Sequence, residues 1–363
     1  MKYGVWRTAA GLATVMVLGA GTANAAVADR PGSGPAVVVT DSGKIATDNV
    51  PDTAESGHTA TRAALLLSES SPAAEPPHVV AFYQSDTTTG DGTPYVSPLS
   101  LAGNADVVEV GAFHLNNPER YPILTLNSDI PSAPKYAPMW RDIAALQAKG
   151  VKVTALLGGA AHGTYALLDA DFDRYYQPLH DAIAAHNLHG IDLDIEEQFT
   201  EATAEKLITR LRADFGRDFL ITLAPVPGDL TRPAGSSLPD VDYPTLEAHV
   251  GFKINWYVAQ FYCGNGTLAT TAGYDAIIKN HFPASKLIAG AITWSTRDCG
   301  GYVNMPTLQK TLSTLATRYP GFAGVAGWEY APSTDVSAPG CPTGPADWYC
   351  AARQALPATR MSP

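Results

Sequence analysis

From His78 onward, eight short apolar runs alternate with segments of helical spacing, and this alternation constrains the fold more than any other feature of the chain. The runs cover residues 79–84, 107–114, 152–157, 190–195, 219–224, 256–262, 286–293 and 321–328. Between two of them, Phe172, Tyr176, Leu179 and Ile183 form one apolar stripe at helical spacing. In the next intervening segment Leu207, Ile208, Leu211 and Phe215 form another, and Gly216 supplies the stop. Residues 137–149 end at Gly150 in the same way, and Pro306 opens a helix where its missing N–H costs nothing. Strands separated by helices pair in parallel, because a helix carries the chain back to the same edge. Eight such units over about 280 residues suit an α/β fold of the (β/α)8 TIM-barrel type. An open doubly wound sheet is the alternative. Its Gly-rich first turn is missing, since residues 84–89 read Gln-Ser-Asp-Thr-Thr-Thr.

The first 25 residues read as an export signal. Lys2 and Arg7 precede an uncharged, mostly apolar stretch over 8–21, and Ala23-Asn24-Ala25 is a small-residue cleavage site. The apolar stretch is short for a membrane span and none of about 18 residues follows, so a soluble, secreted protein is expected. Residues 26–76 are rich in Ala, Ser, Thr, Pro, Gly and Asp without a sustained hydrophobic period. They read as a flexible leader, and residues 77–358 as the folded domain. Four cysteines in an exported chain suggest two disulfides. Of the three possible pairings, Cys263–Cys299 and Cys341–Cys350 are favoured, the first joining neighbouring loops and the second closing a short one. The net charge is −11 with no Lys/Arg cluster, which argues against nucleic-acid or membrane partners and for a neutral substrate. No Cys-x-x-Cys or His-x-x-x-His pair is present, so neither metal nor cofactor is expected. The chain is expected to act as a monomer.

Asp192, Asp194 and Glu196 occupy every second position of the fourth run, with Ile191, Leu193 and Ile195 between them. On a strand this places three acids on one face and three aliphatics on the other. Crowding like charges on a half-buried strand holds at least one of them protonated near neutrality, and a protonated acid is what proton donation to a leaving group requires.

The segment from His189 to Glu196 resembles the Asp-Gly-x-Asp-x-Asp-x-Glu signature of family-18 glycoside hydrolases. Leu157-Gly158-Gly159 stands where that family carries Ser-x-Gly-Gly, Gln260-Phe261-Tyr262 resembles its sixth-strand motif, and Gly324 to Tyr330 resembles its last strand with a Trp. The resemblance covers essentially the whole barrel. Within the family, residues 212–226, 254–257 and 327–330 are similar to small secreted fungal endo-β-N-acetylglucosaminidases. Two positions depart from the pattern: His189 replaces the first Asp and Leu156 the Ser. These departures lead us to expect that Asp192 and Asp194 balance their charge differently, with Tyr83 or the Thr222 hydroxyl as substitutes. The stretch before Gly321 is too short for the α+β insertion of many chitinases, which implies an open, shallow groove and an endo-acting enzyme.

The resemblance implies a retaining mechanism in which the acetamido oxygen of an N-acetylglucosamine (GlcNAc) residue attacks its own anomeric carbon. Glu196 is then the acid and later the base, Asp194 orients the acetamido group, Asp192 supports Asp194, and Tyr262 donates its hydroxyl to the acetamido oxygen. Gln260, Trp328, Tyr83, His114, Gly158, Gly159 and Trp294 are candidates for binding the sugar. Trp328 is expected as the floor beneath it, and the two glycines as a place of close backbone approach. The implied substrate is the GlcNAc-β-1,4-GlcNAc core of N-glycans, or alternatively a chitin-type GlcNAc polymer. A barrel that only binds carbohydrate is a third reading, disfavoured because the acid is retained. A Mg²⁺ or Ca²⁺ site in the acids is a fourth, and it gives no reason for the Gln-Phe-Tyr and Trp strands.

Overall fold

Strands buried on both faces read as continuous apolar runs, and the runs fold accordingly. The computed structural model describes residues 76–84, 95–235, 241–295 and 299–357. Its strands are β1 (His78–Tyr83), β2 (Val107–Leu115), β3 (Leu124–Leu126), β4 (Lys152–Gly158), β5 (Gly190–Asp194), β6 (Leu220–Leu223), β7 (Trp256–Gln260), β8 (Leu287–Ile292) and β9 (Gly324–Trp328). All but β3 are the expected runs, matched to within a few residues. They pair in parallel in the order β1, β2, β4, β5, β6, β7, β8, β9, and β9 pairs with β1 again, so the barrel closes. β3 lies outside this cycle and pairs antiparallel with β2, Phe113 opposite Leu126. The expected export signal, and the leader up to residue 75, lie outside the described residues.

The helices are α1 (Ala137–Ala148), α2 (Thr164–Ala170), α3 (Phe172–Ala185), α4 (Glu201–Phe215), α5 (Pro227–Thr231), α6 (Tyr243–Val250), α7 (Ala272–Lys279), α8 (Met305–Arg318) and α9 (Ala346–Gln354). The stripes read from the sequence are their buried faces: Phe172, Tyr176, Leu179 and Ile183 on α3, and Leu207, Ile208 and Leu211 on α4. Thr200 caps α4 by accepting the N–H of Thr203, and Gly216 ends the helix at φ 80° with its N–H on Arg212 O. Asn304 caps α8 through Thr307 N–H, with Pro306 just inside. Among the described residues no helix is long and apolar enough to cross a membrane. Among the described residues between β8 and β9, α8 is the only helix or strand.

Alternation along each strand divides the apolar residues into two sets. Val79, Val108, Val110, Val153, Ala155, Ile191 and Leu193 join the buried helix residues in one core. Val80, Phe82, Val107, Ala112, Leu156, Ala224, Trp256, Val258, Ile288 and Ala326 form a second core made almost wholly of strand residues, which is the barrel interior. Burial of each large aliphatic or aromatic side chain contributes roughly 1.5–3 kcal/mol, so the outer layer dominates stability. The interior is free to carry polar groups. Cys263–Cys299 and Cys341–Cys350 both form, as favoured from the sequence.

Candidate active site

The same alternation aims the acids. Ile191 and Leu193 face the helices, so Asp192 and Asp194 point into the barrel. Asp192 is fully buried, and its Oδ1 accepts the Thr222 hydroxyl at 2.5 Å from β6. Asp194 ends β5, 5 % exposed, and its Oδ1 accepts the Gln260 amide at 2.9 Å. The Gln260 nitrogen is also bonded to Ala224 O, which fixes its direction. Glu196 lies beyond the strand, at the C-terminal mouth of the barrel, and is open to solvent. Enzymes of this fold place their chemistry at that end.

Burial sets the proton affinities. It pushes the Asp192 carboxyl up to about 7 against the opposing hydrogen bond from Thr222. Burial, then the charges of Glu196 and Asp192, holds Asp194 well above the usual carboxylate range, while Gln260 pulls the other way. Glu196 is raised as well, by desolvation among the surrounding loops, with Gln260 and His162 opposing. Its side chain reaches water yet sits deep enough for protein to replace much of its hydration. Three neighbouring acids with raised affinities exchange protons as one coupled set.

Around them, Tyr262 follows β7 on the Gln260 side, buried, its phenol pushed up by burial and by the charges of Asp194 and Glu196. Trp328 ends β9, half-buried, its ring edge-on to Phe82 at 5.4 Å. His114, past the irregularity in β2, shares Ala112's side of the strand. Burial lowers its affinity for a proton, and its Nδ1 has no partner. Trp294 follows β8, half-buried. Gly158 and Gly159 lie flush against β5. Gly159 N–H donates to Asp194 O at 2.8 Å, and a Cβ on Gly158 would stand 2.5 Å from that same oxygen. The backbone approach expected of them is therefore made to Asp194, with φ 95° and 88°.

Two expectations are corrected. Tyr83 belongs to the outer core, packs near Tyr330 at 6.0 Å, and donates its hydroxyl to Val96 O. Odd-numbered positions of β1 face the helices, so Tyr83 neither reaches the cleft nor balances Asp192, and Thr222 has the latter task. His189 precedes β5, at the opposite end of the barrel from Glu196, and its Nδ1 accepts Val153 N–H at 3.0 Å. It closes a strand end and leaves the charge of the acids unaltered. Sequence reading missed two carboxylates. Glu109, fully buried on β2, was visible only as a lone acid in an apolar run. Glu197 accepts the N–H groups of Gly163 at 2.6 Å and Tyr165 at 2.8 Å and so anchors the start of α2 beside Glu196.

A closed parallel barrel with paired inner aspartates and a glutamate at its C-terminal mouth is an architecture suited to acid–base chemistry on a bound substrate. The comparisons make this specific. The structure resembles a fungal endo-β-N-acetylglucosaminidase of glycosyl hydrolase family 18, with TM-score 0.69 and 33 % identity over 78 % of this chain and 99 % of that one. It also resembles the chitinase ChiC from Aspergillus fumigatus, with TM-score 0.66 and 38 % identity over 75 % of this chain and 96 % of that one. The chain belongs to glycoside hydrolase family 18. A curated relative, chitinase 2 of Rhizopus oligosporus, is 26 % identical over 282 residues, 70 % of this chain, and the match spans 49 % of that protein's length. No protein-family model matches the chain.

Proposed function

We propose that this protein is an exported, monomeric, retaining glycosidase that cleaves the GlcNAc-β-1,4-GlcNAc bond in the core of N-glycans. One observation carries the reading: Gln260 fixes Asp194 at the end of β5, two residues before a solvent-reaching Glu196 of raised proton affinity. Glu196 gives its proton to the glycosidic oxygen. Asp194 accepts the acetamido N–H and turns the acetamido oxygen onto the anomeric carbon. The leaving sugar departs, an oxazolinium forms, and the charge that develops on it is offset by Asp194. Glu196, now a carboxylate, takes a proton from water, which opens the ring with retention. Tyr262 supplies a hydroxyl to the acetamido oxygen, Trp328 an apolar floor, and Gln260, His114, Trp294 and the Gly158-Gly159 edge the surrounding contacts. Residues 77–358 are the catalytic unit, residues 1–25 the export signal and 26–76 a leader. Disulfide formation and the N-terminal pattern support export.

A second reading, cleavage of chitin-type polymers or oligomers, is supported by the 38 % identity to a chitinase. A parallel digest separates the two. Wild type and Glu196→Gln are each incubated with a glycoprotein bearing high-mannose N-glycans and with a soluble chitin oligosaccharide, and the products are weighed by mass spectrometry. Wild type alone should leave a single GlcNAc on the glycoprotein. Cleavage of the chitin oligomer alone supports the chitinase, and cleavage of neither removes the glycosidase reading.

A further inference from the structure

The residue after Tyr83 takes the side of β1 that Tyr83 leaves. Along this strand Val79, Ala81 and Tyr83 pack in the outer core, and Val80 and Phe82 in the barrel interior. Two hydrogen bonds carry the alternation one step past the strand, to Gln84. Tyr330 N–H donates to Phe82 O at 2.9 Å, and Gln84 N–H donates to Glu329 Oε2 at 3.1 Å. Both run to the segment that leaves β9, and on an extended chain groups two residues apart point the same way. Gln84 therefore shares Phe82's face, one pleat nearer the C-terminal mouth. Phe82 meets the Trp328 ring edge-on at 5.4 Å, so Gln84 stands above that pair, half-buried at the rim.

The backbone of Gln84 is held on its other side as well. Its carbonyl accepts Asn127 Nδ2 at 3.1 Å, and the same nitrogen reaches Gly111 O at 3.1 Å. Asn127 Oδ1 accepts Ala112 N–H at 3.0 Å, and Asn127 N–H donates to Ala112 O at 2.7 Å. Glu329 thus ties Gln84 to the Trp328 wall, and Asn127 ties it to β2 where that strand shifts register before His114. The Gln260 amide is engaged by Asp194 and Ala224. The Gln84 side-chain amide, by contrast, has no hydrogen-bond partner among the described residues. A neutral amide both donates and accepts, which suits a sugar hydroxyl. Because its backbone is already fixed, little freedom is lost when a ligand meets it. β2 and β4 stand between β1 and β5, so Gln84 approaches a sugar from across the mouth and leaves the acetamido group to Asp194 and Tyr262. We propose that Gln84 is a substrate-binding residue of this site, its amide hydrogen-bonded to a hydroxyl of the sugar that rests on Trp328. This role rests on the glycosidase reading. The contact is made alike before and during bond cleavage, so its loss acts on binding more than on the chemical step.

The test has one arm that needs no turnover. Full-chain Glu196→Gln protein is labelled with 15N at the glutamine side chains and followed by NMR. A soluble chitin oligosaccharide is added to one sample, and a free high-mannose glycan with both core GlcNAc residues to another. The Gln84 amide signals are assigned as those lost in both Gln84→Met and Gln84→Glu. They should move with at least one of the two glycans, and signals that stay in place with both overturn the proposal. The second arm is steady-state kinetics with Glu196 intact. Gln84→Met keeps the length of the side chain and removes both polar atoms. KM should rise about 10-fold with a much smaller fall in kcat. An unchanged KM, or a fall in kcat alone, overturns the binding role. Should the wild type cleave neither glycan, the glycosidase reading falls, and the shift of the Gln84 signals alone upholds or overturns its contact with a sugar.

Discussion

Thr222 donates its hydroxyl to Asp192 Oδ1 at 2.5 Å from the same rung of the neighbouring strand. The contact is sealed from water, so no solvent molecule replaces it when it is lost. Thr222→Val keeps the shape and removes the donor. We expect a loss of about 1–3 kcal/mol in urea unfolding, with the fold retained. Unchanged stability would mean that Asp192 finds another donor.

Gln260 is the fixed side of the Asp194 contact. Replacing it with Leu removes the group that favours ionised Asp194, the acceptor of the acetamido N–H in the proposed reaction. kcat should fall about 10²-fold, with KM changed far less. Steady-state kinetics on a GlcNAc oligosaccharide checks this, and a change in KM alone would assign Gln260 to simple binding.

The stability contributed by Asp192 should fall as pH rises from acid toward neutral. Asp192 is held at about 7 in the fold and lies near 3.9 when unfolded, so the native state binds more protons between those values. Its contribution is fully present below the unfolded value and is lost as pH rises through about 7. Asp192→Asn lacks that contribution. The Tm of the variant minus that of the wild type should therefore grow between pH 4 and pH 7, and a flat difference would show that Asp192 is ionised in the fold.

Glu197 holds the first turn of α2 through two backbone N–H groups. Glu197→Ala leaves both without their acceptor and should cost about 0.5–2 kcal/mol. Because the same residue adjoins Glu196, kcat should drop as well. Lost stability with kcat intact would confine Glu197 to the helix.

The barrel was legible because each strand is buried on two faces and each helix on one, and these patterns differ in period. β3 was not, since Leu124-Thr125-Leu126 is too short to show any period and exists by pairing with β2. Alternation and motif together grouped Asp192, Asp194 and Gln260, and the paired strands do bring Asp194 and Gln260 into contact. Tyr83 was misplaced because its position near a strand end was read without asking which face odd residues take. Glu109 escaped because a solitary acid in an apolar run has no spacing to read. Only the pairing of β4 with both β2 and β5 brings it to the same side of the sheet as Asp192 and Asp194, which lie more than 80 residues away in the chain.

Cys263 follows Tyr262 directly, and its bond to Cys299 crosses 36 residues of chain to tie the segment after β7 to the segment after β8. The barrel closes through its own strand pairing and does not need this bond. The rim beside Tyr262 relies on it. A host that keeps thiols reduced should therefore yield protein that is folded by circular dichroism yet loosely organised around the sugar site. Yield of soluble material would then be a poor guide to active enzyme, and the choice of an oxidising compartment for production matters more than the choice of host.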